Sequence, residues 1–204
     1  MSKATLQRRP LVRQILAGAD DNLLVIAGLG SANWDVTDAG DRPLNMPLWG
    51  SMGAPVPIGL GLALAQPTKR VLVITGDGDM LMSLGSLATV AAQQPDNLAI
   101  VVLDNEKFGE TGNQATHTSP RHNGPTDSGA GTDLAMIAKG CGIADSGTVR
   151  EAGEVAQLVR DARSTKGPVF RLVKVMVEKL EFVMPPQDGA HLKDRFRQAL
   201  LGHP

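Results

Sequence analysis

Apolar residues cluster into four short runs, at 23–27, 71–75, 98–103 and 169–177. Each is too short for a helix and is flanked by Gly, Pro, Asp or Asn, which marks a buried strand. Between and around them the pattern changes to helical spacing. Residues 6–16 predict a short first helix. Pro55 and Pro57 stand where proline is tolerated, in the first turn of a helix running to about Gln66. Residues 82–93 predict a helix stopped near Pro95, and 132–139, 151–163 and 191–200 predict three more. Residues 31–50 mix Asn, Asp, Gly and Pro and read as loop. Residues 105–131 lack periodicity, and a structureless loop of that length is usually functional. Strands alternating with helices predict an α/β fold: a doubly wound, mostly parallel sheet with helices on both faces. No repeat or linker interrupts it. The expectation is one domain over 1–204, with a short C-terminal tail from about residue 180.

Composition narrows the function classes. The chain has 204 residues, of which 42% are apolar, with a formal net charge of -1. A near-neutral surface gives no electrostatic reason to bind nucleic acid or an anionic membrane. Aromatic residues make up 3%, with no tyrosine, so stacking platforms for bases are not expected. Cys141 is the only cysteine, which excludes an intrachain disulfide and any Cys-x-x-Cys metal site. No apolar run approaches the ~20 residues of a membrane span. Residues 1–10 are polar and basic, without the apolar core of a signal peptide. These features lead to the expectation of a soluble cytoplasmic protein.

Two strands end in glycine turns. The first is Gly28-Leu29-Gly30-Ser31-Ala32-Asn33, with Asn33 where a dinucleotide fingerprint has its third glycine. That fingerprint also needs an immediate helix and an acid after the next strand. With a loop expected to follow, a nicotinamide site is not predicted. A phosphate-contacting turn and a plain strand exit both remain open. The second turn is Gly76-Asp77-Gly78-Asp79. Small residues let backbone approach an anion, and Asp77 offers a hard oxygen for a cation riding on that anion. Taken alone, Gly-Asp-Gly is a common turn. The signal strengthens 26 residues later, where another strand ends in Asp104-Asn105. Adjacent parallel strands would put Asp77 and Asn105 side by side at one sheet edge.

Gly-Asp-Gly, this spacer and Asn resemble the cofactor motif of thiamine-diphosphate enzymes. The resemblance implies Mg²⁺ held by Asp77, Asn105 and the Lys107 backbone carbonyl. Gly76, Gly78 and Asp79 would cradle the diphosphate, the last two through backbone N–H groups. Trp49-Gly50-Ser51-Met52-Gly53-Ala54 is similar to the segment gripping the aminopyrimidine ring in the decarboxylase branch. There Met52 would wedge the cofactor into its bent shape, the Gly50 carbonyl would accept from the 4'-amino group, and Ser51 lies between them. Without the downstream motif Met52 reads as a core methionine. Gly109-Glu110-Thr111-Gly112-Asn113-Gln114-Ala115-Thr116-His117-Thr118 is similar to a segment of sulfopyruvate and phosphonopyruvate decarboxylases.

The implied function is one subunit of a thiamine-diphosphate- and Mg²⁺-dependent decarboxylase of a small 2-oxoacid. The activating glutamate would sit on a partner, a pyrimidine-domain (alpha-type) subunit, in a hetero-oligomer. Glu110 and His117 are the candidates for polar contact with substrate or for proton transfer, and surface loops often carry such residues without a task. Asn113, Arg121 and His122 are weaker candidates. An anionic substrate tail would pair with Arg121 or Lys107. The alternatives are a carboligase or another lyase with the same cofactor, or a non-catalytic module binding thiamine diphosphate or a nucleotide. Three departures from the family pattern stand out. Asp79 replaces a small residue and would repel the diphosphate unless it points away. Asp104 replaces the first of two asparagines. Glu106-Lys107 puts charge where small residues are usual.

Overall fold

The computed structural model describes residues 4–120 and 131–203. In chain order the elements are helix α1 (Arg8–Leu16), strand β1 (Leu23–Ala27), α2 (Ser31–Asp38), β2 (Asn45–Pro47), α3 (Pro55–Ala65), β3 (Arg70–Gly76), α4 (Asp77–Leu81), α5 (Leu84–Gln93), β4 (Leu98–Asp104), β5 (Lys107–Phe108), β6 (Gln114–Ala115), α6 (Leu134–Gly140), β7 (Asp145–Val149), α7 (Val155–Arg163), β8 (Val169–Lys174) and α8 (Gly189–Leu201). Six strands form one sheet in the order β2-β1-β3-β4-β8-β7. Every pairing in it is parallel. The α/β doubly wound expectation holds.

Each face of the sheet carries its own core. On one, Leu11, Val12 and Ile15 of α1, Val36 of α2 and Leu158 of α7 pack on Val25, Leu72, Val101 and Val173. On the other, Val56 and Leu60 of α3, Leu87 of α5, Leu134 of α6 and Phe196 of α8 pack on Ile26, Val73, Ile100 and Phe170. The alternation of side chains along each strand divides the near-continuous apolar runs between the faces. The connection from β1 leads outward to β2, and the next one crosses back past β1 to β3, so the winding reverses beside β1. In open α/β sheets such a switch point, at the carboxyl ends of the strands, is where ligands bind.

The structure corrects these expectations at four places. Residues 31–50 are not loop: they hold α2 and β2. The face of α2 that meets the core is partly polar, so apolar spacing could not reveal it. Asp35 is fully buried because Arg8 Nη1 (2.5 Å) and Arg9 Nε (2.9 Å) donate to it. Asn33 is buried and donates to the Leu48 carbonyl at 2.6 Å. The helix expected over 82–93 is present as α5, but the short helix before it, α4, which starts at Asp77 itself, was not expected. Strand β7, of sequence DSGTV, was not predicted because an edge strand with few apolar residues leaves no alternation to read. The stretch expected as a tail from about residue 180 includes α8, whose Leu192 and Phe196 are buried.

Phe170 is among the largest side chains with no exposure. Phe170→Ala is expected to cost about 3–5 kcal/mol, measured as a shift of the urea unfolding midpoint with unchanged slope.

Candidate functional site

Strands β3 and β4 are in register from Val71↔Leu98 to Gly76↔Leu103. The residues just beyond, Asp77 and Asp104-Asn105, therefore emerge together at one sheet edge, as the spacing predicted. A cavity of about 160 Å³ opens there. It is lined by Gly76, Asp77, Gly78 and Asp79, by Asn105, Lys107 and Glu110, and by Met52. Leu29, Gly30, Ser31 and Ala32 close its other side. Thus α2 begins directly at the first glycine turn and points its N-terminus at the cavity, which supplies the helix that the sequence reading had missed. No acid follows β2, which ends at Pro47 and is continued by Leu48-Trp49-Gly50, so the ribose-binding partner of a dinucleotide fold is missing.

Asp77 is 2% exposed. Its Oδ2 accepts from Thr116 Oγ1 at 2.5 Å, and Thr118 Oγ1 lies 3.0 Å from the same oxygen. Thr118 is also 2.8 Å from Asp104 Oδ1, so one hydroxyl proton serves two carboxylates. Asp104 has its own cation: Lys174 Nζ donates to its Oδ2 at 2.7 Å and pairs with Glu106 at 2.6 Å. Burial opposes the Lys174 charge, but bonds to Asp104 and Glu106 hold its pKa above the ordinary lysine value. Among the described residues no cation pairs with Asp77. Burial, with the charge of Asp104 adding to it, pushes the Asp77 carboxyl up to about 6. Sequence reasoning missed Thr116 and Thr118. Both stand in the turn after β6, where Ser119 N–H donates to the Thr116 carbonyl at 3.1 Å, and nothing in their local pattern marks them.

Asn105 Oδ1 accepts from the Lys107 N–H at 2.9 Å, which shapes the turn after β4. Glu106 takes the left-handed conformation there, with φ of 62°. In the β5–β6 hairpin, the Glu106 carbonyl accepts from Thr116 N–H (3.1 Å) and that of Phe108 from Asn113 N–H (2.9 Å). Carbonyls alternate in direction along a strand, so the Lys107 carbonyl turns away from the hairpin. One carboxylate, one amide and one carbonyl are a hard-oxygen set. Among the described residues no group of three His, Cys, Asp or Glu side chains could hold a metal ion by itself. A cation here needs further oxygens from water or a bound anion, which matches Mg²⁺ on a diphosphate.

Asp79 points away from the cavity, which removes the expected repulsion. It is 5% exposed, its Oδ1 accepts from Gly53 N–H and its Oδ2 from Thr75 Oγ1, both at 2.5 Å. Burial raises its pKa, against these two bonds. A Cβ on Gly28 would stand 2.5 Å from Thr75 Oγ1 and in collision with Asp79 Oδ2. Gly28 therefore serves close approach, not flexibility.

The remaining candidates separate. Gly50 and Ser51 do not line the cavity; they belong to the turn that carries Met52, which is 37% exposed at its rim. Glu110 faces the cavity beside Gly30. His117 is exposed and does not line it; its carbonyl accepts from Thr132 N–H at 2.7 Å. Asn113 lines a neighbouring cavity of about 680 Å³, together with Arg8, Trp34 and residues 177–182. Arg121 and His122 lie outside the described residues. Cys141 is half-buried against the second core.

The Asp77 environment sets a pH signature for metal-free protein. A carboxyl with a pKa of 3.8 when unfolded and about 6 when folded binds its proton more tightly in the fold. Its stabilising effect is therefore full below pH 3.8 and is lost as pH rises through 6, a swing of about 3 kcal/mol. In EDTA, Asp77→Asn is expected to be more stable than wild type at pH 7.5 and to lose that advantage near pH 4, read from urea unfolding at both values.

The family model for the thiamine pyrophosphate enzyme C-terminal TPP-binding domain matches residues 30–173. A "Sulfopyruvate decarboxylase subunit beta" of Methanothermobacter thermautotrophicus is 34% identical over 197 residues, 97% of each chain. One of Methanocaldococcus jannaschii is 39% identical over 137 residues, 67% of each. The crystal structure of benzoylformate decarboxylase from Polynucleobacter necessarius superposes with a TM-score of 0.66 at 20% identity. That match covers 88% of this chain and 36% of the other, and it bears on fold alone. With the glycine turns, the paired strand ends and the family match over most of its length in agreement, this chain belongs to the thiamine pyrophosphate enzymes and is homologous to sulfopyruvate decarboxylase beta subunits.

Proposed function

We propose that this chain is the cofactor-anchoring subunit of a thiamine-diphosphate- and Mg²⁺-dependent 2-oxoacid decarboxylase. The observation that carries the reading is the meeting of Asp77, Asn105 and the Lys107 turn at the ends of β3 and β4, around a glycine-lined cavity. Asp77 and Asn105 hold Mg²⁺ by side-chain oxygens and Lys107 by its carbonyl. The Gly78 and Asp79 N–H groups and the start of α2 at Gly30-Ser31 receive the diphosphate. Gly50, Ser51 and Met52 form the turn that faces the aminopyrimidine, with Met52 beneath the bend. When bound, the cofactor supplies the nucleophilic carbon and the electron sink for loss of CO₂.

The chain's own residues bind and orient; the ring-activating glutamate comes from a partner subunit. Apolar surface at the cavity rim supports this reading. Met52 is 37% exposed and Met82 65%, and the two flank Gly53, whose added Cβ would lie 3.3 Å from Met82. Side chains of this kind are enriched where subunits meet. The names of the relatives favour a 2-oxoacid with an anionic tail. Lys107 and Glu110 face the cavity and are placed to bind that tail and to move a proton, respectively. His117 faces solvent in this chain, and its role requires the partner or a change in the loop.

Alone, the chain is expected to show no CO₂ release from sulfopyruvate, phosphonopyruvate or pyruvate. Adding a pyrimidine-domain subunit, thiamine diphosphate and Mg²⁺ should restore it. Asp77→Ala should weaken Mg²⁺-dependent cofactor binding by about 100-fold or more, beyond the loss typical for an outer partner of a metal site. Turnover by the isolated chain, or cofactor binding indifferent to Asp77→Ala, would defeat the proposal.

A further inference from the structure

We infer that Asp79 is a positioning residue that locks the Met52 turn to the diphosphate turn. Two segments must hold one cofactor at a fixed spacing, and no element of the sheet joins them. The Met52 turn lies between β2 and α3, while Gly76-Asp77-Gly78 follows β3. Asp79 is the covalent neighbour of the second turn and bonds to the first. Its Oδ1 accepts from Gly53 N–H, one residue after Met52, and its Oδ2 accepts from Thr75 Oγ1, on the strand that carries Gly76.

The surroundings are built to keep this arrangement. Thr75 is 1% exposed and Asp79 5%, so water does not compete for either bond. Gly28 has no Cβ where one would strike both Thr75 and Asp79. The turn itself needs restraint: Ser51 and Gly53 both adopt positive φ, at 58° and 87°. For Ser51 that conformation is strained, and such residues persist only where neighbours hold them. The carboxylate replaces the small residue expected at this position, so the lock belongs to this chain's own sequence. It governs where Met52 sits relative to Asp77, and so the bend imposed on the cofactor.

The inference rests on the reading that thiamine diphosphate binds here, and binding by the full chain in Mg²⁺ separates the two. Calorimetry with thiamine diphosphate and with inorganic diphosphate reads the whole cofactor and its anchor independently. Asp79→Ala is expected to weaken thiamine diphosphate at least about tenfold, while inorganic diphosphate changes less than about threefold. Asp79→Asn retains an acceptor for Gly53 N–H and a donor toward Thr75, and is expected to restore most of the difference. Thr75→Val, which keeps the β3 backbone and side-chain shape, should shift the same ratio in the same direction if Asp79→Ala does not fold. Equal loss of both ligands in a folded variant, or no loss of thiamine diphosphate, overturns the role of Asp79. A wild-type chain that binds thiamine diphosphate no better than inorganic diphosphate overturns the cofactor reading, and this role with it.

Discussion

A carboxylate out of water must be compensated, and Asp77 organises the site around that requirement. It sits at the one place where β3 and β4 deliver their last residues side by side. The fold meets its cost partway, with two threonine hydroxyls from the segment after β6. Its neighbour Asp104 receives a lysine, Lys174, from β8. The result is a graded set of charges across the strand ends. Asp104 is neutralised by protein, while Asp77 is left with hydrogen bonds and a carboxyl that titrates at about 6. A residue kept in that state stabilises the apo fold poorly and a bound cation well.

The same edge shows what a sequence makes legible. Gly-Asp-Gly and the later Asn could be paired because parallel strands one helix apart end level, a geometric rule that needs no contacts. Four strands were readable because their apolar runs are buried on both faces. Strand β2, strand β7 and helix α2 were not, because their burial depends on partners distant in sequence. Asp35 is the plainest instance: nothing near it in the chain announces that Arg8 and Arg9 will receive it. Helix α4, ahead of α5, was hidden for a related reason. Its first residues serve the turn, and the periodicity begins only after them.

The site divides along similar lines. Residues whose backbone does the binding are visible from glycine spacing. Residues whose side chains hold other residues are not, since Thr116, Thr118 and Thr75 are ordinary threonines until the sheet edge brings carboxylates to them. Asp79 was visible as a departure, but only its direction told what the departure does. An acidic group beside an anion site reads as a fault in one dimension; in three it faces the opposite way and ties two loops.

The path of the chain after β8 has a consequence for assembly. Residues 175–188 cross from Leu6, which bridges to Val175, past Trp34, which meets Phe182 with ring centroids 4.2 Å apart, to Trp49, whose indole N–H donates to the Pro186 carbonyl at 2.7 Å. Helix α8 then packs against β2. That strand is three residues long, carries Pro47 and forms the margin of the sheet. A bare margin of parallel strands invites another chain to add itself there. A strand of three residues bearing a proline offers such a chain little to pair with, and α8 packed against it ties this border to the protein's own core, which leaves association to side-chain surfaces.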